Sequence, residues 1–222
     1  RDRSPSRGLG DVYKRQIKEK ARQLPIVECY IGTKWDYMGE KTVIVTRQHP
    51  QGHFTMGVYL VDIYCKGLLH SEYFFNMNHD DYEMMVKRID MDEDLKKAAY
   101  ADAHKLVYGA IDFAEAVGID SEDSFDITKY ILDEKKEEIP FAEFGRNGKH
   151  YLRADTDEEA ELYIPIIMEA IGTDFTYSIE GVTDGEVDAA EVPFGDFDFS
   201  ELNYDEEEFD KMFEKLNRES QD

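Results

Sequence analysis

Two β-branched and aromatic runs, KTVIVTRQ and HFTMGVYLVDIYC, stand on either side of the stretch HPQG, and no other feature constrains the chain so tightly. A Pro-Gln-Gly turn between such runs is a hairpin signature, so residues 41–65 are expected to supply two antiparallel strands. The second run is apolar at both alternating sets of positions through Val58, Leu60, Val61 and Ile63, which marks a central strand covered on both faces. IVECYIG upstream, and LLHSEYFFN beyond the Lys66-Gly67 break, read as further strands. An antiparallel sheet of three to five strands is therefore expected between residues 25 and 76.

Helical patterns follow. DDYEMMVKRI opens with acids and closes with bases, the order the helix macrodipole favours. Over residues 92–117, Ala99, Ala103, Leu106, Ala110, Phe113 and Val117 recur at spacings of three and four, the period of one helix face. A second stripe through Tyr100, His104, Val107, Tyr108 and Ile111 widens that apolar surface, so a long central helix ended by Gly118 is expected. Residues 17–24 read as a short leading helix stopped by Pro25, and SEDSFDITKYILDE as a helix capped by Ser121 or Ser124. Asn147-Gly148 signals a tight hairpin, DTDEEAELYIPIIMEAIG a helix interrupted or kinked at Pro165, and FTYSIEGV a last strand. The fold class is α+β: an antiparallel sheet packed against a long central helix, with an acidic C-terminal appendage.

Charge divides the chain into three parts. The whole carries 50 Asp and Glu against 26 Lys and Arg, a formal −24. Residues 1–16 run the other way, with 5 basic and 2 acidic side chains and no apolar period. Their segment SRGLGDVYKRQ resembles the translation of a transposon-end adapter used in sequencing libraries, so residues 1–16 are expected to be foreign to the protein and the native start to precede Ile17. Residues 17–182 form the expected globular domain. Residues 183–222 hold 15 acidic and 3 basic side chains, a net of −12, and read as an interaction segment. Within it Phe209, Met212, Phe213 and Leu216 fall at i, i+3, i+4 and i+7, one apolar helix face able to fold back or to enter a partner's groove.

Such acidity opposes binding to nucleic-acid phosphates and anionic lipid, so neither a nucleic-acid nor a membrane partner is expected. No apolar run reaches the roughly 18 to 20 residues of a membrane helix. Cys29 and Cys65, the only cysteines, lie in apolar runs outside any CxxC pattern, which fits two buried thiols in a reducing cytoplasm and leaves a single bridge between them open.

Candidate chemistry centres on Asp62, His70 and Glu72. Asp62 interrupts an apolar run, and a buried carboxylate is costly unless it is paired or binds a cation. With His70 and Glu72 on the next run it could form an acid/base pair or a carboxylate and imidazole metal site of a hydrolase or nuclease-like enzyme. The competing explanation is structural: Asp62 caps a turn or pairs with a base such as Arg47. His104, among apolar helix positions, reads as a satisfied core histidine. Phosphate-loop, dinucleotide, zinc-protease and serine-hydrolase motifs are absent from the sequence, and no cofactor is expected.

LPIVECYI, VIVTRQHPQGHFTMGVYLVDIYCKGL, AHKLVYGAIDFAEAVGI and FDITKYIL together resemble an uncharacterised family of bacterial proteins over residues 17–145, GVYLVDIYCKGL being the most specific piece. The resemblance implies a bacterial cytoplasmic origin and a similar order of strand, hairpin, helix and acidic end. It implies no activity, cofactor or catalytic residue. The leading expectation is thus a non-enzymatic interaction module whose acidic tail, through Phe209, Met212, Phe213 and Leu216, binds a basic or groove-bearing protein partner. A metal-dependent enzyme and an acidic mimic of nucleic acid are the alternatives.

Overall fold

A computed structural model of the chain describes residues 6–135, 139–140, 143–146 and 148–179, with side chains from residue 10 onward. The body runs from Lys14 to Val182. The partner-binding positions Phe209, Met212, Phe213 and Leu216 lie outside the described residues.

The α+β class holds. Strands β1 (Ile26–Gly32), β2 (Glu40–Gln48), β3 (Phe54–Asp62), β4 (Gly67–Met77) and β5 (Leu95–Lys97) form one antiparallel sheet in the order β4-β3-β2-β1-β5. The HPQG hairpin closes as expected: His49 donates its amide to the His53 carbonyl at 2.8 Å, and Gly52 takes φ +90. β3 is interior and buried along nearly its whole length.

Its two faces meet different helices. Tyr59 and Val61 of β3, with Val43 and Val45 of β2, pack against Ala103, Val107 and Ala110 of α3 (Tyr100–Glu115). The alternate residues face α2 (His79–Glu93), where the Tyr82 ring stacks on Phe54 at 4.5 Å and its hydroxyl lies 3.2 Å from Thr46 Oγ1. The sheet is therefore sandwiched, which is why the middle strands are apolar on both sides. Two glycines make the α3 face close-fitting. A Cβ on Gly57 would come within 2.5 Å of the Tyr59 hydroxyl, and one on Gly67, at φ +73, within 2.6 Å of Ala114 Cβ. The flattened Tyr59 donates its buried hydroxyl to the Thr128 carbonyl at 2.8 Å, fixing the single turn α4 (Phe125–Thr128).

The expected helix over 92–117 is shorter. α2 runs on to Glu93, Asp94 reverses the chain at φ +49, and 95–97 form β5 on the edge of β1 before α3 begins at Tyr100. Asp tolerates the left-handed conformation, and Asp90 Oδ1 accepts the Leu95 amide at 2.7 Å, so the break is stabilised locally. Ser124 precedes α4 but does not cap it. Its hydroxyl instead meets Ser71 Oγ at 2.7 Å, and Ser71 in turn meets Thr128 Oγ1 at 2.7 Å.

Arg47, 2% exposed, holds the α3 side together. It donates to the carbonyls of Ile131 and Leu24, both at 2.6 Å, and to Asp133 Oδ1 at 2.7 Å. At the leading end, α1 (Ser6–Lys20) runs without a break from Gln16 into Ile17, and Ile17 and Ala21 enter the core. Leu24 is extended, as a residue before proline must be.

Beyond α3, β6 (Tyr151–Ala154), α5 (Asp157–Ile171) and β7 (Thr176–Ile179) make a small unit in which β6 and β7 pair in parallel across α5. A bridge between Arg146 and Lys149 closes the turn at Gly148. The chain after it pairs with β7 instead of extending that hairpin. Thr156 caps α5 by accepting the Glu159 amide, and the helix continues through Pro165, whose side is exposed. Among the described residues no helix is long and apolar enough to cross a membrane.

Candidate functional site

Asp62 ends β3, opposite Gly67, where the chain turns into β4. Its Oδ1 accepts the Tyr64 amide at 2.7 Å and its Oδ2 the Lys66 amide at 2.9 Å, so both oxygens are committed to the turn. Burial pushes the carboxyl up from its ordinary value, against the opposing pull of those amides and of Lys66. The turn-capping explanation is the correct one, and Arg47 is not the partner. Arg47 pairs across the sheet with Thr55, seven positions from Asp62 along β3, roughly 23 Å at strand rise.

His70 and Glu72 share one side of β4, opposite Leu60 and Val58. His70 Nδ1 lies 3.8 Å from Glu122 Oε2. Glu72 Oε2 is buried and finds no hydrogen-bond partner among the described residues, and burial raises its carboxyl to about 7. The bulge between Leu60 and Val61 separates these two residues from Asp62 at the turn. Among the described residues no group of three His, Cys, Asp or Glu is placed to hold a metal ion.

Cys29 and Cys65 are free and buried, and burial pushes their thiols up to about 11 and about 12, the opposite of nucleophile activation. His104 is satisfied as expected: Nε2 meets the Asp133 carbonyl at 3.1 Å, and the ring lies between Tyr100 and Tyr108.

The better candidate is a cleft of about 500 Å³ between β1 and α2. Glu28 and Tyr30, two apart on β1, share the α2 side of the sheet, and Phe54, His79, Tyr82, Glu83, Val86 and Lys87 are among the residues of the other walls. Glu28 Oε2 accepts from the Tyr82 hydroxyl at 2.8 Å and the Tyr30 hydroxyl at 3.2 Å, while Oε1 accepts from Lys97 Nζ at 2.9 Å. Burial alone would raise this carboxyl, but the bonds from Lys97 and Tyr82 outweigh it and hold Glu28 below the usual carboxylate value. The arrangement is a fixed, ionised carboxylate beside stacked aromatic rings, suited to holding a cation.

Sequence reasoning missed Glu28. The available signal was an acid at an inward position of IVECYIG, two residues before a tyrosine. A second cleft, of about 340 Å³, is lined by Lys20, Leu24, His49, Thr55, Phe75 and Asn76. There His49 Nε2 lies 2.8 Å from Thr55 Oγ1, and burial lowers the His49 pKa, favouring the neutral ring. The chain matches no family model, no curated protein and no solved structure.

Proposed function

We propose that the chain is a non-enzymatic interaction protein of a bacterial cytoplasm that binds a basic or groove-bearing protein partner through its acidic C-terminal segment. The observation that carries this reading is the charge step: 15 acidic against 3 basic side chains over residues 183–222, with Phe209, Met212, Phe213 and Leu216 at the i, i+3, i+4 and i+7 spacing of an amphipathic pattern. Two structural features support it. Asp62, the residue on which an enzymatic reading depended most, has both carboxylate oxygens occupied by the amides of its own turn. The free, buried thiols suit a reducing compartment.

The test is affinity capture from bacterial lysate at moderate salt, with the full chain and its Phe209→Ala, Met212→Ala, Phe213→Ala triple variant side by side. A specific protein retained by the first and lost by the second, then reproduced with purified components, supports the proposal. Equal retention by both refutes it.

A further inference from the structure

We infer that the cleft between β1 and α2 is a binding site for the cationic side chain, ammonium or guanidinium, of a basic peptide. This deepens the proposal of a basic partner and rests on it, but places a contact in the folded body instead of the tail.

The argument begins with how the cleft is built. Glu28 projects from β1 toward α2, and two tyrosine hydroxyls hold one of its oxygens, which fixes the carboxylate in place. Among the described residues its other oxygen takes only Lys97, whose side chain is 68% exposed and reaches over from the edge strand β5. An ammonium therefore already occupies Oε1, supplied by an exposed side chain whose pairing solvent and salt weaken. The break at Asp94 is what delivers it, because β5 sets Lys97 opposite Tyr30. An incoming cation would exchange for Lys97 at the same oxygen.

The walls suit the rest of such a side chain. Phe54 and Tyr82 stack at 4.5 Å with 25° between their planes, and Val86 lies beside them, so a methylene stem has apolar surface to cover. Glu83 adds a second carboxylate to the lining, 3.8 Å from the ring of His79, which lines the cleft too; Lys87, one turn further along α2, is a basic group of the same wall, and these two neighbours limit the net attraction. The formal charge of −24 draws basic ligands toward the molecule.

The probe is a single blocked arginine, N-acetyl-arginine methylamide, titrated into the full chain and followed by backbone amide NMR shifts. Saturable shifts are expected to centre on Gln48, Phe54, Tyr82 and Val86. Glu28→Gln, which keeps the side-chain shape and an acceptor for the tyrosines, is expected to weaken binding by roughly tenfold, the scale of one charge-assisted hydrogen bond. Lys97→Met removes the internal competitor and should tighten it. Lys96→Met changes net charge equally but removes the partner of Asp94, not of Glu28, so it should tighten binding less. Shifts confined to residues 183–222, equal affinity in Glu28→Gln, or equal gains from the two lysine variants would each overturn the inference. A partner held by the tail and indifferent to Glu28→Gln would overturn this site alone and leave the proposed function standing.

Discussion

Glu72→Gln should stabilise the protein, and only above mildly acidic pH. The carboxyl of Glu72 rises from its ordinary 4.5 to about 7 because burial strips water from it and Oε2 finds no donor among the described residues. Between those two values the folded chain holds a proton that the unfolded chain has released, so stability falls as pH rises through the window and is level above it. Each pH step of that window corresponds to about 1.4 kcal/mol, which gives an upper bound of roughly 3.4 kcal/mol. The side chain keeps partial access to solvent, and screening reduces the expected effect to about 1–2 kcal/mol. The amide variant keeps the shape and cannot ionise. Urea denaturation of both proteins at pH 5 and pH 8 isolates the effect, because subtracting one from the other cancels every group they share, His70 included. The variant should gain about 1–2 kcal/mol over the parent at pH 8 relative to its difference at pH 5. An unchanged difference, or a variant less stable at pH 8, would show that the ionised Glu72 has a partner or is solvated, and the argument from burial would fail.

Replacing Arg47 by Met should cost about 3–5 kcal/mol in urea denaturation, since it strands the Ile131 and Leu24 carbonyls and Asp133 together. Arg47→Lys should recover only part of this, because an ammonium lacks the planar fork. Asp62→Ala should cost about 2–4 kcal/mol by freeing two turn amides, one buried and one part-buried, and Asp62→Asn less, with calorimetry as the check. Cys29 and Cys65, raised to about 11 and about 12, should resist iodoacetamide at pH 8 in the native protein and react in urea; a fast native reaction at either would refute its burial. Added salt, from low ionic strength to about 0.3 M, should raise the Tm, because screening relieves self-repulsion of the −24 charge more than it weakens exposed pairs such as Lys129 with Asp126.

Local features were legible in the sequence and distant pairings were not. The HPQG hairpin, the doubly buried β3 and the α3 stripe from Ala103 to Phe113 follow from short-range pattern and turn chemistry. The break at Asp94 was hidden because residues 95–99 continue into a helical period without a glycine or proline, while β5 exists only through its bonds to β1. The parallel pairing of β6 and β7 was hidden for the same reason: Asn147-Gly148 announces a local hairpin, and only packing across α5 joins Tyr151 to Thr176. Asp62 was rightly the residue in need of an explanation. Its partners proved to be amides two and four residues on, whereas the candidate Arg47 is used by Asp133, 86 positions away.

The cations of this acidic chain explain where a ligand can act. Arg47 and Lys66 are buried and paired with Asp133 and Glu159; Arg153 lies 3.5 Å from Glu40; Arg22 joins Glu134 and the carbonyls of Lys129 and Leu132. Those bonds tie distant segments together, so exchanging any of them for an external cation would loosen the fold. Lys97 differs, because it is exposed, sits on a three-residue edge strand, and contacts a carboxylate that two tyrosines already hold in place. Removing it leaves Glu28 held by the hydroxyls of Tyr82 and Tyr30. A folded body with so many surplus carboxylates attracts basic partners everywhere and distinguishes them nowhere, unless one carboxylate is fixed beside apolar walls. Glu28 meets that requirement, and the stacked rings of Phe54 and Tyr82 supply the shape that bulk charge lacks.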